Sequence, residues 1–284
     1  MKTAQTLNPD QLQQLRDLLK ARCGIKTGDA CHQSVDEGIA RLMLRLKADS
    51  FEEFFAKAAD PQSGVRDQLA NAMLSRETWW FRDSEGLRAL SDHLLPEREE
   101  GLLSDGGEKI RIWSAGCSTG QEPYSLVMAL LDRMWGTAVD MGMPAHYEII
   151  GTDISPAALF LAVAGRYDPR AMESSLPEGY LERYFTRDNL VHSLKDAVRG
   201  SVRFRQHNLM DSTDGLASGA FDAVLLRRVL CYYSEPAQKE ILGCVAGAMS
   251  PGGMLLLGQG EELPENGVFE PASVGDCPCY RRRP

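Results

Sequence analysis

The sequence predicts an α/β protein, a doubly wound and mostly parallel sheet, preceded by a small all-α N-terminal domain. Three observations carry that expectation. Apolar positions in the first 80 or so residues recur at helical spacing; short apolar runs alternate with helical segments from residue 110 onward; and a polar, Gly-containing stretch, PEREEGLLSDGGEK, separates the two patterns. The expected division is 1–82 for the helical domain and 83–284 for the sheet domain, with a small insertion near 176–201.

Within the first part, Asn8-Pro9 has the chemistry of a helix start, with Leu12, Leu15, Leu18 and Leu19 following at helical spacing. A second helix is predicted near Val35 to Lys47, with Ile39, Leu42, Met43 and Leu46 on one face. Arg41 and Arg45 form a small positive ridge on another face. Ser50 opens a third helix, SFEEFFAKAA, with Glu53 where a capping box requires it. A fourth is expected from Val65 to Leu74, and a further one around Ser84 to Leu95.

The second part offers strands at 110–114, 147–152, 202–205, 221–226 and 253–258. Helices are expected around 122–135, 155–165 and 235–249. Segment 167–200 is weakly patterned and is expected to leave the sheet as a small excursion. Cys277-Pro278-Cys279 is expected to be a surface turn followed by a strand, in preference to a redox pair.

The net charge of −9 argues against a general nucleic-acid binder. Residues 1–82 hold 12 Lys/Arg against 11 Asp/Glu, about +1, so an acidic partner should prefer that part. No apolar run approaches membrane-spanning length and the N-terminus lacks a signal-peptide pattern, so a cytoplasmic protein without membrane insertion is expected. Seven cysteines without a CxxC pair predict reduced, packed thiols, and five histidines without ligand spacing predict no metal site.

The loop SAGCSTG follows the first predicted strand, where doubly wound sheets bind ligands. It lacks the Lys-Ser/Thr of a Walker loop and the spacing of a dinucleotide fingerprint. Small residues there let a ligand approach the backbone, and Glu122 directly behind disfavours a pyrophosphate. At the end of the second strand, GTDIS presents Asp153, which could grip ribose hydroxyls or cap the helix at Pro156. With SPGGMLLLG downstream, the order of features points to a nucleoside ligand without a diphosphate, which S-adenosylmethionine satisfies.

RETWWFRD (76–83), SAGCSTGQEPYSL (114–126), GTDIS, AGRY (164–167), RYF (183–185), VRFRQHNL (202–209), RRVLCYYSEPAQKEIL (227–242) and SPGGMLLLG together resemble the CheR family. The N-terminal RLMLRLKADSFEEFF resembles that family's helical domain. These are S-adenosylmethionine-dependent methyltransferases, with a Rossmann-like class I fold, that esterify glutamate side chains of methyl-accepting chemotaxis receptors. The resemblance implies cofactor contacts at Thr78, Arg82, Ala115, Gly116, Glu122, Asp153, Asn208, Leu209, Arg227 and Arg228. It implies that Arg82 and Tyr232 lie close to the transferred methyl group, and that the helix bearing Arg41 and Arg45 meets the receptor. The product would be S-adenosylhomocysteine, and no metal is implied.

Three departures from the family pattern stand out. Arg76 and Arg228 replace asparagines that normally border the cofactor, and an arginine is bulky, donor-only and permanently charged. Trp79 and Trp80 enlarge a Phe-rich stretch. The segment TRDNLVHSL after Phe185 is short, which predicts no tethering by a receptor C-terminal peptide. The alternatives are a catalytically altered or inactive CheR-like binding protein, or a methyltransferase for another acidic substrate. A glutamate side chain, with a reference pKa of about 4.3, is ionised at neutral pH and needs no general base. Alignment and partial desolvation are what the protein would have to supply.

Overall fold

The computed structural model describes residues 7–24, 32–48, 50–60, 62–66, 68–69, 77–95, 109–135, 143–144, 147–172, 175–188, 190–213, 216 and 221–284. The linker 96–108, Arg76 and the end of the expected 65–74 helix lie outside these residues. The chain divides into two compact units, one made of 1–76 with 229–241 and the other of 77–228 with 242–284.

The first unit is helical: α1 (Pro9–Cys23), α2 (His32–Arg45) and α3 (Phe51–Ala59). Asn8 and Gln11 form a reciprocal capping box at the start of α1, so two otherwise orphaned N–H groups are satisfied before the first turn closes. Of the residues that the periodicity places on the helix faces, Leu15, Leu19, Ile39, Leu42 and Met43 are buried and Leu12, Leu18 and Leu46 half-buried; Phe54 of α3 is buried with them. Ser50 accepts the Glu53 N–H at 3.1 Å, while the Glu53 carboxylate pairs with Lys57 one turn on. Segment 229–241 belongs here, with Ser234 N–H donating to the Gly24 carbonyl at 2.8 Å.

The second unit carries α4 (Ser84–Leu94), β1 (Ile110–Ala115), α5 (Gln121–Trp135), β2 (Tyr147–Asp153), α6 (Pro156–Ala164), β3 (Arg166–Tyr167), α7 (Tyr180–Tyr184), β4 (Phe185–Arg187), β5 (His192–Leu194), α8 (Asp196–Arg199), β6 (Val202–Gln206) and β7 (Phe221–Leu225). It continues from residue 242, within α9 (Glu235–Ala248), through β8 (Met249–Leu256) to the hairpin β9 (Phe269–Val274) and β10 (Cys277–Arg282). The main sheet has the order β6-β2-β1-β7-β8-β10-β9. Its first five strands are parallel and β10 and β9 are antiparallel. β1 lies between β2 and β7, so successive connections depart from it in opposite directions. That is the switch point where a crevice opens at the carboxyl ends of the strands.

Strands β3, β5 and β4 form a separate three-stranded antiparallel sheet. The Cys-Pro-Cys segment departs from expectation: the turn is Gly275-Asp276, and Cys277 and Cys279 already lie within β10. Pro251, Gly252 and Gly253 lie within β8 as an irregularity, since Phe221 pairs with Met249 but Ala223 pairs with Met254. No helix among the described residues is long and apolar enough to cross a membrane.

Candidate active site

The first half of the site is the loop between β1 and α5. Gly116 and Cys117 both donate their N–H groups to the Thr152 carbonyl at 2.8 Å, which ties the loop to the end of β2. Gly116 and Gly120 have φ of 77° and 93°. A Cβ at position 120 would stand 2.9 Å from the Ala162 Cβ and 3.1 Å from the Tyr124 ring, so only glycine fits. Ser118 N–H donates to Asp153 Oδ2 at 2.8 Å, and Ser155 N–H donates to Oδ1 at 2.9 Å. The helix cap is therefore Ser155, whose Oγ accepts the Ala158 N–H, and Asp153 stands at the strand tip with a main-chain donor on each oxygen.

Glu122 lies in the first turn of α5, where the helix dipole favours a negative charge. Ser114 Oγ donates to its Oε1 at 2.7 Å, and Arg227 Nη1 donates to Oε2 at 3.1 Å. Burial pushes the Glu122 pKa up, and Arg227 and Ser114 pull it back. The neighbouring Cys117 thiol is pushed well up, by burial first and then by Asp153 and Glu122, so it is a packed neutral group.

The second half is the segment 77–83 together with Arg227 and Arg228. The Arg227 side chain is only 3% exposed, and it lies 3.4 Å from Asp83 Oδ2 as well as 3.1 Å from Glu122. Its Nη2 also donates to the Arg82 carbonyl. One buried guanidinium thus pins the 82–83 backbone to the Gly loop. Phe81 and Asp83, on either side of Arg82, both have left-handed backbone, with φ of 52° and 46°. The Arg82 guanidinium lies over the Trp79 ring at 4.1 Å, and its Nη1 donates to the Glu77 carbonyl at 3.1 Å. Thr78 is half-buried in the same segment.

After β6, His207 N–H donates to the Asp153 carbonyl at 3.1 Å, which brings Asn208 and Leu209 to the same end of the sheet. Both are buried; Asn208 Oδ1 accepts from Met210 N–H at 3.1 Å and closes a turn. Burial lowers the His207 pKa, and its Nε2 is a buried atom without a hydrogen-bond partner.

Arg228 has φ of 57°. Its N–H donates to Glu261 Oε2 at 2.7 Å, a carboxylate shared with Gly258 N–H, and its Nη2 donates to the Gln259 carbonyl at 2.7 Å. Asparagine tolerates left-handed backbone far better than arginine, which gives the family's asparagine a conformational reason. The permanent charge of Arg228 is thus engaged with the loop after β8.

Ala115, Gly116, Glu122, Asp153, Asn208, Leu209, Arg227 and Arg82 are therefore brought to one edge of the second unit. Tyr232, on the 3₁₀ turn Leu230–Tyr232, and the exposed Arg41 and Arg45 belong to the helical unit. Sequence reasoning missed Ser114, Ser118, Asp83 and Glu261 as partners of the site. Asp83 lies inside RETWWFRD and could have been flagged there; the others contribute through main-chain or long-range contacts that leave no local signal. Among the described residues no group of three His, Cys, Asp or Glu side chains could hold a metal ion.

A carboxylate at the tip of the second strand and another in the first turn after the loop of the first strand, at the switch point of a mostly parallel sheet, belong to an α/β protein of Rossmann-like methyltransferase fold. Residues 76–275 match the family described as CheR methyltransferase, SAM binding domain. The chain is 38% identical over 249 residues to chemotaxis protein methyltransferase 1 of Pseudomonas aeruginosa, covering 87% of this chain and 88% of that one. It is 35% identical over 267 residues to chemotaxis protein methyltransferase Cher2 of Pseudomonas putida, covering 93% and 94%. A Vibrio cholerae chemotaxis protein methyltransferase 1 is 34% identical over 265 residues, with 92% of each chain covered. The chain belongs to the CheR methyltransferase family.

Proposed function

We propose that this protein transfers a methyl group from S-adenosylmethionine to glutamate carboxylates of a chemoreceptor in the cytoplasm, forming a methyl ester and S-adenosylhomocysteine. The observation that carries the reading is the placement of Asp153 at the tip of β2 and of Glu122 in the first turn of α5, one on each side of the Gly loop, in a chain whose family is defined by its SAM-binding domain.

The residues present suit that ligand. Asp153, with its oxygens oriented by two main-chain donors, would accept ribose hydroxyls, and Asn208 and Leu209 would border the base. Glu122, held by Ser114 and Arg227, would meet the positively charged amino group. When bound, S-adenosylmethionine supplies a methyl group activated by its positive sulfur. Arg82 would receive a carboxylate, Tyr232 would orient the reacting oxygens, and the Gly loop would exclude water from one side. The substrate glutamate is already ionised at neutral pH, so no residue need act as its base. Arg41 and Arg45 would engage the receptor's acidic surface, without a peptide tether. Arg76 completes the set of cofactor-bordering positions that the family implies.

Calorimetry with S-adenosylhomocysteine, paired with base-labile methyl transfer from labelled S-adenosylmethionine to a chemoreceptor cytoplasmic fragment, tests the reading. Binding and transfer are expected, and Arg82→Ala should lose most of the turnover while melting normally. Absence of binding would leave only a non-catalytic relative; near-normal turnover by Arg82→Ala would remove its role.

A further inference from the structure

The fold uses its two adjacent tryptophans differently. Trp80 is 1% exposed and meets Tyr167 and Phe185 edge-on, at 4.8 and 5.3 Å between ring centroids, so it is core. Trp79 is 43% exposed, with its ring face against the Arg82 guanidinium. A large indole left this open contributes little to the core, and its position is explained by what it covers.

Arg82 has five N–H donors in a planar fork. Nη1 is engaged by the Glu77 carbonyl, and one face of the plane is covered by Trp79. Nε is a buried atom without a hydrogen-bond partner in the chain. The edge formed by Nε and Nη2 is the one that binds a carboxylate through two parallel hydrogen bonds. The backbone beneath is fixed as well, by left-handed residues on both sides and by Arg227 on the Arg82 carbonyl. A guanidinium clamped on one face and at Nη1, with a buried Nε that has no hydrogen-bond partner in the chain, keeps donor capacity on its Nε side for an incoming acceptor.

We propose that Trp79 is a positioning residue for Arg82, holding the Nε/Nη2 edge toward a carboxylate during methyl transfer. This rests on the reading that Arg82 serves the reaction. The carboxylate has two possible sources, the receptor glutamate and the amino-acid end of the cofactor, and one set of measurements separates them.

The experiment compares the full chain with Trp79→Ala, Trp79→Phe, Arg82→Ala and the double variant Trp79→Ala/Arg82→Ala. For each, the dissociation constant for S-adenosylhomocysteine and the kcat and KM for a chemoreceptor cytoplasmic fragment are measured. Trp79→Ala is expected to lower kcat/KM about tenfold, the scale of a partly desolvated cation–π contact, with an unchanged melting temperature. Trp79→Phe should recover most of the loss, because it keeps a ring face. In the Arg82→Ala background, removing Trp79 should change little, because the group it positions is gone. A loss confined to the receptor's kcat and KM assigns the glutamate as the source, and a matching loss in S-adenosylhomocysteine affinity assigns the cofactor. The proposal is overturned if Trp79→Ala is indistinguishable from the parent in all three constants, or if its effect adds fully to that of Arg82→Ala. If the parent chain transfers no methyl group, the functional reading fails; a loss of S-adenosylhomocysteine affinity in Trp79→Ala that vanishes in the Arg82→Ala background then still supports the proposal, and the lack of one overturns it.

Discussion

The two halves of the candidate site reach the same precision by different physics. The β1–α5 loop is ordered mainly by main-chain hydrogen bonds and small residues: Gly116, Cys117 and Ser118 donate to the end of β2, Gly120 lies against Ala162, and Ser118 alone of its non-glycine residues has left-handed backbone, with φ of 50°. The 77–83 segment with Arg227 and Arg228 is ordered by buried charge and by non-glycine residues held in left-handed backbone. Such strain persists only where surroundings over-determine it, and it concentrates at functional sites. The first half therefore depends on which residues its backbone conformation allows, whereas the second depends on a few named charge contacts.

Removing the charge at the centre of the second half should have the largest effect. Arg227→Ala strands Glu122 and Asp83 and should cost about 3–5 kcal/mol in a denaturant titration. A loss below about 1 kcal/mol would break the picture of a charge-pinned segment. Next comes the first half's own weak point: Gly120→Ala combines unfavourable φ with a close contact and should cost about 2–4 kcal/mol by the same measurement.

Glu122→Gln is expected to weaken S-adenosylhomocysteine binding by roughly 10- to 100-fold, the scale of a lost hydrogen bond to a charged group. Burial raises the Glu122 pKa, so two pH dependences with opposite signs follow in the parent. Its contribution to stability is fullest below the unfolded value of about 4.3 and declines as pH rises through the raised native pKa. Ligand affinity, which needs the carboxylate, instead falls as pH drops through that raised pKa. Titration by calorimetry should show the second dependence in the parent and not in Glu122→Gln. The smallest effect expected is a gain: Arg228→Asn relieves left-handed strain and should stabilise the protein by up to about 1 kcal/mol in thermal melts. Destabilisation there would mean that the bond to the Gln259 carbonyl outweighs the strain.

The same contrast explains what could be read from the chain alone. Helices α1, α2 and α3 and the five parallel strands follow from apolar spacing, because their faces are buried in a regular way. The hairpin β9–β10 was less legible, since Pro271 and Pro278 interrupt an otherwise ordinary edge pattern. Asp153 and Glu122 could be singled out because their place follows from the strand order. The roles of Ser114 and Glu261 could not, because each depends on a partner more than three residues away, Ser114 on Glu122 and Glu261 on Arg228; Asp83 stands inside RETWWFRD and its partner Arg227 inside RRVLCYYSEPAQKEIL, but their pairing leaves no local signal. The left-handed conformation of Arg228 was equally hidden, since arginine carries no signal for it.

Asp153 has a consequence for how the site can be lost. Both of its oxygens are oriented by amide hydrogens of residues 118 and 155, not by their side chains. Apart from proline, no substitution at either position deletes those donors. The grip on a ligand's hydroxyls is thus encoded mostly in the course of the backbone, and mutation can abolish it cleanly only at the aspartate itself. Side-chain changes at residues 118 and 155 act on the aspartate only through the backbone: residue 118 must hold a φ of 50°, and Ser155 also caps the following helix.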